Sequence, residues 1–374
     1  MPAPVLFVTD ELEVGGSQRQ ILLLARALIA AGHAVTVAYF RAEGAVFVGE
    51  LERAGVTVRL VSKARAVDPP FVARLARFLA EDRARLVLTF GYPANLWSRI
   101  AGAIGRCPPQ VACVRNYANY PPLRDNAVGT AQKPVEWLLA RASRAVVANS
   151  RVTAEALVAR RCVPRDKMHV IPNAVELTPP APRESARARL RAVVGGADGA
   201  PIVGTLARLV EPKDLPTLLR AARHVADRRD DVRFVVGGDG PLRGALEAER
   251  RRLGLDERFF LPGTLAGREV ITGLDVAVLS SSSEGMPNFV LEAMAAGVPL
   301  ASTRAGAAPD LLEEGALGRL VPIGDHAALG EAILAQLADP DGARAAAARA
   351  SAKAHTLDAA NVAAQYLALF DAVR

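Results

Sequence analysis

The chain has 374 residues, 51% of them apolar, a length that favours two domains over one and supplies enough apolar side chains for two cores. No stretch reaches the roughly eighteen uninterrupted apolar residues of a membrane-spanning helix. The formal net charge is +7, yet aromatic residues make up only 5% and no basic tract is interleaved with them, which argues against nucleic acid as the partner.

Only five of the 46 basic residues are lysine (Lys63, Lys133, Lys167, Lys213 and Lys353). The positive balance points instead to phosphates or an anionic membrane surface. The first ten residues, Met1 to Asp10, have no basic region and no small-residue cleavage site, and read as a buried strand rather than a signal peptide. Cys107, Cys113 and Cys162 have no metal-ligand or redox spacing. They read as ordinary thiols of a reducing cytoplasm.

Short runs rich in Val and Leu alternate with helical patterns along the whole chain, the mark of parallel sheets wrapped by helices. In the first half, strands are predicted at Val5–Thr9, Ala34–Tyr39, Val56–Leu60, Leu86–Phe90, Gln110–Val114 and Ala145–Ala148. Helices are predicted at Ser17–Ala31, Phe47–Ala54, Phe71–Glu81, Ala94–Ile104 and Lys133–Ala142. The strands lack polar alternation, so both faces should be buried. The helix at 71–80 is apolar on one face and basic on the other. It reads either as a sheet-covering helix or as a contact with an anionic membrane.

From Val175 the chain changes character. Thr178-Pro-Pro-Ala-Pro182 can neither continue a helix nor sit in a central strand. With a short basic helix (185–193) and a glycine-rich stretch (195–199), residues 178–200 read as a linker. The pattern then restarts, with strands at Ile202–Leu206, Val232–Gly237, Arg258–Leu261, Val276–Leu279, Leu300–Thr303 and Gly318–Val321. Helices are predicted at Pro216–Ala226, Pro241–Leu253, Asn288–Ala296, Ala308–Glu314 and His326–Leu337, and the end is alanine-rich helix. The expected divisions are 1–177, 178–200 and 201–355, with 356–374 returning to the first domain. Two such sheets in tandem should face a central cleft, with ligands at the carboxyl ends of the strands.

Four segments carry candidate chemistry. Ser280-Ser-Ser-Ser-Glu284-Gly285-Met286-Pro287-Asn288-Phe289 ends a strand in hydroxyls and opens a helix, with Pro287 placed near its first turn. The first N–H groups of a helix lack internal partners and attract anions, so a diphosphate fits there. Glu292, one turn further, can accept hydrogen bonds from the paired hydroxyls of a ribose or a sugar. Arg208 and Lys213 follow another strand and can neutralise a leaving diphosphate. Gly15-Gly16, between the first strand and a long helix, lacks the G-x-G-x-x-G of a dinucleotide site. Gly237-Gly238-Asp239-Gly240-Pro241 makes a further strand-to-helix turn, read either as lining a nucleotide or as purely structural.

In this order, these residues resemble the family 4 retaining glycosyltransferases of the GT-B fold, over nearly the whole chain. The match runs through Gly15-Gly16, Ala148-Asn149-Ser150, Val170-Ile-Pro-Asn173, Gly204 with Arg208 and Lys213, Gly238-Asp-Gly-Pro241, Glu284-x7-Glu292 and Glu292-Ala-Met-Ala-Ala-Gly-Val-Pro299. The resemblance implies an α/β chain of two Rossmann-like parallel-sheet domains. It also implies sugar transfer from a nucleotide-diphosphate sugar to a hydroxyl acceptor, in polysaccharide, glycolipid or other glycoconjugate synthesis. Arg208 and Lys213 would contact the diphosphate, Glu292 the ribose and Glu284 the donor sugar. The amides of Gly285, Met286, Pro287, Asn288 and Phe289 are the segment implied to hold sugar hydroxyls and phosphate, Pro287 contributing no N–H. Gly15, Gly16 and Gly238 would complete the donor site, and no metal or other cofactor is implied. Front-face substitution needs no double-displacement nucleophile.

None of the five histidines (His33, His169, His224, His326, His355) falls where the family's first-domain histidine is expected. Arg115, Asn116 or Tyr117 stand in that stretch as replacement sugar or acceptor contacts. The competing readings are a nucleotide-sugar epimerase or hydrolase and a non-catalytic nucleotide-sugar-binding protein on the same frame. The expected location is the cytoplasm, peripheral at the inner face of the membrane.

Overall fold

The computed structural model describes residues 4–13, 15–65, 68–82, 84–105, 107–115, 120–123, 126–177, 181–196 and 199–373, the side chain of Arg268 excepted. The chain forms two units, one of Met1–Ala174 with Leu357–Arg374 and one of Val175–Thr356.

The first unit is built on strands β1 (Val5–Thr9), β2 (Val35–Tyr39), β3 (Thr57–Leu60), β4 (Leu86–Phe90), β5 (Gln110–Val114), β6 (Ala145–Ala148) and β7 (Met168–Val170). They form a seven-stranded sheet in the order β3-β2-β1-β4-β5-β6-β7, with every pairing parallel. Parallel neighbours need crossovers, supplied by α1 (Gly16–Ala30), α2 (Val48–Arg53), α3 (Pro69–Glu81), α4 (Tyr92–Ile104), α5 (Ala127–Ala142) and α6 (Arg151–Ala159). Every residue of β1, β4 and β5 is buried, as the unbroken apolar runs required. The strand order reverses between β1 and β4, which places the topological switch point there.

Helix α3 takes the sheet-covering one of its two readings, while α5, α6 and β7 differ from the sequence expectation. Helix α3 turns Phe71, Leu75, Ala76 and Leu79 into the core, so its apolar face covers the sheet and is not available to a membrane. Helix α5 begins at Ala127, one and a half turns before the expected Lys133, capped by the Asn126 side chain, which accepts from Gly129 N (2.8 Å). Pro134 lies inside it but on the exposed side, where the carbonyl that loses its donor is open to solvent. Helix α6 and strand β7 were not expected; Ser150 caps α6 by accepting from Thr153 N at 3.2 Å.

The second unit contains α7 (Arg183–Val194), α8 (Leu215–Ala226), α9 (Arg243–Arg252), α10 (Gly267–Val270), α11 (Asn288–Ala295), α12 (Ala308–Leu311), α13 (His326–Ala338) and α14 (Pro340–His355). Its strands are β8 (Ile202–Leu206), β9 (Arg233–Gly237), β10 (Phe259–Gly263), β11 (Val276–Leu279), β12 (Leu300–Thr303) and β13 (Arg319–Val321). These form a six-stranded parallel sheet ordered β10-β9-β8-β11-β12-β13, with the switch point between β8 and β11.

Helix α7 falls in the segment expected to be a linker, but it belongs to this unit. Arg183 and Arg187 both donate to the Asp275 carboxylate, at 2.7 and 2.8 Å, while Ala186, Leu190 and Val194 are buried. The alanine-rich end becomes two helices. Helix α14 buries Ala343, Ala347, Ala350 and Ala354, a stripe small enough to bring it close against α11.

Helix α15 (Ala359–Ala372) belongs to the first unit and packs on α1. It inserts Val362, Ala363, Tyr366 and Phe370 into the core beside Phe7, Leu24 and Phe90. Gln20 on α1 pairs by both amide atoms with the backbone of Ala174 (2.8 and 2.7 Å), fixing the end of the first unit's N-terminal part.

Candidate functional site

The candidate residues of the second unit gather at the carboxyl ends of β8, β9, β11 and β12, around the switch point. The loop after β11 is tied to the loop after β8. Ser280 Oγ donates to the Lys213 carbonyl (2.8 Å) and Ser282 N to the Pro212 carbonyl (2.9 Å). This brings Lys213 Nζ to 2.6 Å from Glu284 Oε1. Ser281 Oγ donates to the same carboxylate oxygen at 2.7 Å, and Thr303 Oγ1 donates to the Ser281 carbonyl at 2.6 Å. The Glu284 side chain is 9% exposed and that of Lys213 29%. A buried carboxylate held by an ammonium and a hydroxyl on one oxygen is fixed in direction.

Two glycines allow the loops to close. Gly306, after β12, has φ +54°, and a Cβ there would lie 2.6 Å from the Glu284 carbonyl carbon and 2.7 Å from the Gly285 oxygen. The contact is completed by Ala307 N donating to the Gly285 carbonyl at 2.9 Å. Gly238, with φ +148°, meets the backbone of Ala207, where a Cβ would come within 2.9 Å of the carbonyl carbon. Ala207 N and Leu209 N donate to the carbonyls of Gly237 and Asp239, each at 2.9 Å. The turn after β9 thereby holds the backbone on both sides of Arg208, whose own side chain is exposed. Arg243 steadies that turn by donating to the Gly238 carbonyl (3.1 Å) and to Asp239 Oδ1 (3.0 Å); the latter bond holds the Asp239 carboxyl below its usual range.

Helix α11 starts at Asn288, the residue expected from the sequence. Pro287 is the N-cap and Asn288 the first helical residue. Leu291 N reaches the Pro287 carbonyl at 3.3 Å. Gly285 and Phe289 are buried, Met286 and Asn288 half-buried, and Glu292 exposed about one turn in. Arg208, Lys213, Gly238, Glu284, residues 285–289 and Glu292 thus all lie on the carboxyl side of the second sheet, with Lys213 and Glu284 in direct contact.

The remaining candidates belong to the first unit. Gly15 caps α1 in an extended conformation (φ −171°) and Gly16 is its first residue. Arg115 follows β5, and its guanidinium is engaged inside the unit. It donates to Asn173 Oδ1 (2.6 Å) and to the Tyr366 hydroxyl (3.2 Å), and lies over the Phe90 ring. Arg115 therefore ties β5 to α15 and to the end of the first unit, a different task from the sugar or acceptor contact expected of it. Asn116 and Tyr117 lie outside the described residues.

Sequence reasoning did not single out Ser281, Thr303 or Gly306 as site residues. Ser281 precedes Glu284 by three residues in a run of four serines, so nothing in the sequence singles it out. Gly306 was visible as a glycine in a loop after a strand, but its contact with Glu284 depends on β12 lying beside β11.

The sequence and the fold both have relatives. Residues 14–178 match the family model described as Glycosyltransferase Family 4, and residues 200–339 the model of Glycosyl transferases group 1. A 2-deoxystreptamine N-acetyl-D-glucosaminyltransferase of Streptomyces fradiae is 30% identical over 351 residues, covering 84% of this chain and 81% of that protein. A 2-deoxystreptamine glucosyltransferase of Streptomyces kanamyceticus is 30% identical over 262 residues, and the match spans 66% of each chain. Among solved structures, HepE of Anabaena in complex with UDP-glucose superposes with a TM-score of 0.86 at 22% identity, over 99% of this chain and 100% of that one. The fold and the matched models define a glycosyltransferase of two Rossmann-like parallel-sheet units, the GT-B architecture. The chain belongs to glycosyltransferase family 4.

Proposed function

We propose that the chain transfers a sugar, with retention, from a nucleotide-diphosphate sugar to a hydroxyl acceptor that is a glycan, a lipid-linked saccharide or a small polyol. The observation that carries this reading is the Lys213–Glu284 contact beside Arg208, at the switch point of the second sheet. A UDP-sugar donor is supported by the neighbour solved with UDP-glucose. An acceptor in glycoconjugate or natural-product synthesis is supported by the names of the curated relatives, a D-inositol 3-phosphate glycosyltransferase of Nocardia farcinica among them.

In this reading the N–H groups opening α11 take the diphosphate and Glu292 the ribose hydroxyls. Gly238 lets the turn after β9 approach the nucleotide. The bond from the anomeric carbon to the diphosphate oxygen breaks as the acceptor oxygen bonds to the same face. The acceptor proton passes to the leaving phosphate. Arg208 and Lys213 receive the charge that develops there. Glu284, with one oxygen occupied by Lys213 and Ser281, directs the other to the sugar. These cations take the place of a metal ion, so turnover should survive EDTA; a tenfold loss reversed by a divalent cation would sink that part. The three thiols without metal or redox spacing fit a cytoplasmic chain.

The test is a screen of UDP-, GDP- and ADP-sugars by thermal shift, followed by nucleoside diphosphate release with and without an acceptor panel. The expected result is stabilisation by one base class and release that requires an acceptor. Donor consumed equally without acceptor would identify an epimerase or hydrolase instead. Binding with no turnover across the panel would identify a binding protein.

A further inference from the structure

Helix α5 exposes apolar surface that the core does not need. Val128 is 62% exposed, Val135 50%, Leu138 64% and Trp137 39%. Val128, Ala131, Val135, Leu138 and Ala142 recur at spacings of three and four residues, and all five are exposed. They form one continuous stripe along the helix. The opposite side, Gly129, Glu136 and Ala140, is buried.

The charges are sorted in the same way. The one acidic residue of α5, Glu136, points inward. It takes both Arg99 nitrogens (2.9 and 2.8 Å) and the Tyr120 hydroxyl (2.8 Å), with the side chains of Glu136 and Arg99 at 1% and 2% exposure. The other charges of α5, Lys133 and Arg141, are both positive, and Arg141 is on the exposed side, while Lys133 is half-buried in the row of Gly129, Glu136 and Ala140. Arg141 lies over the Trp137 ring, 4.9 Å from its centroid. Arg144 is exposed just past the helix end. Arg160 donates to the Leu123 carbonyl (2.9 Å), immediately ahead of α5, and Arg161 beside it is exposed.

We propose that this face of α5 docks on an anionic lipid bilayer, with Val128, Val135 and Leu138 entering the interface and Trp137 and the basic residues at headgroup depth. A tryptophan beside an apolar stripe suits the boundary between hydrocarbon and headgroups. The basic flank complements anionic headgroups, each cation near such a surface contributing on the order of 1 kcal/mol. It suits a second copy of this chain poorly, because a two-fold contact sets the patch against itself and Arg141 against cations of the same patch. The docking requires nothing of the proposed transfer reaction, although it would bring the chain to a lipid-linked acceptor.

The experiment is flotation of the full chain, without donor or acceptor, on vesicles of phosphatidylcholine alone and of phosphatidylcholine with phosphatidylglycerol. The parent should float with the anionic vesicles, be left behind by the neutral ones and be released by high salt. Leu138→Glu and Arg141→Glu, both at exposed positions, should melt with the parent yet weaken binding on the order of tenfold. Trp97→Phe leaves Trp137 as the sole tryptophan of the two in the chain, and its emission should shift to the blue on anionic vesicles. No flotation, or flotation untouched by Leu138→Glu, would overturn the proposal. So would dimerisation abolished by Leu138→Glu in a chain that ignores vesicles, which would give the face to a second copy. None of these outcomes bears on sugar transfer, which is read by nucleoside diphosphate release.

Discussion

Replacing Lys213 by alanine separates the contact that its ammonium makes with Glu284 from the role in transfer proposed for it. In the ligand-free chain its Nζ lies 2.6 Å from Glu284 Oε1, and the Glu284 side chain is 9% exposed. Hydrogen bonds to charged groups contribute about 1.5–3 kcal/mol. Because Lys213 is 29% exposed, water replaces part of that bond, which leaves the loss near the lower end, about 1–2 kcal/mol. For a unit the size of Val175–Thr356 this corresponds to a fall in Tm of roughly 2–8 °C. Glu284→Gln should abolish most of the difference, since a neutral amide loses less when the ammonium goes, and the cycle of single and double variants isolates the contact. Catalysis should respond on another scale. A cation removed from the charge developing on a leaving group lowers kcat by about 10²–10³. The diphosphate is already charged in the bound donor, so KM should rise as well, but by less than kcat falls. The assays are thermal melting without ligand and nucleoside diphosphate release under saturating donor. Release at the parent's rate by Lys213→Ala would remove the residue from the reaction. An equal drop in Tm with Glu or Gln at position 284 would show that the contact does not hold the carboxylate.

Arg208→Ala should lower kcat by about 10²–10³ while Tm stays near the parent's, because the side chain is exposed; a drop in Tm as large as that of a core variant would point to a structural role. Gly306→Ala should destabilise the second unit by about 1–3 kcal/mol and raise donor KM, because its Cβ would press on the carbonyls of Glu284 and Gly285; unchanged denaturant midpoint and KM would show that the loop gives way freely. Arg99→Leu leaves Glu136 buried without its cation and should destabilise by about 3–5 kcal/mol, whereas Arg99→Met with Glu136→Leu should recover most of that. Urea unfolding decides, and no recovery in the double variant would show that the ion pair does more than neutralise itself. Burial opposes the Arg99 charge, yet Glu136 and Tyr120 beside it still raise its pKa. Burial first and Glu136 second push the Tyr120 hydroxyl well up, so both groups keep their protons across the ordinary pH range.

Much of the fold was readable along the chain. Runs such as Val5–Thr9, Leu86–Phe90 and Ile202–Leu206 emerge with the expected boundaries because burial on both faces demands unbroken apolar residues. Helix ends were read less well. The expected start of α5 at Lys133 came too late, because Asn126 caps the helix ahead of Ala127 and one proline on an exposed face costs it a single bond. Pro182 and the glycines at 195–199 suggested a linker, and α7 still docks through Arg183 and Arg187 onto Asp275, a partner some ninety residues away. In the site, Glu284, Arg208, Lys213 and Gly238 were visible because a strand followed by glycine or proline and a helix has a local signature. Ser281 was not, since it differs from its three serine neighbours only in what it touches.

The sequence by itself determined the class of fold, the existence of two α/β units and most of the residues at the candidate donor site, because those depend on periodicity and on short-range turn chemistry. The tertiary structure alone decided how those residues meet. Setting β8 beside β11 draws Lys213 onto Glu284, although 71 positions separate them. Setting β12 beside β11 brings Thr303 onto Ser281 and Gly306 onto Glu284. Packing α15 on α1 carries Tyr366 to Arg115 and occupies a guanidinium that the sequence left open to a ligand. Burying Glu136 against Arg99 leaves α5 with an outward face that is apolar and positive. Each of these contacts joins segments far apart in the chain, and local pattern does not encode which distant partner a side chain meets.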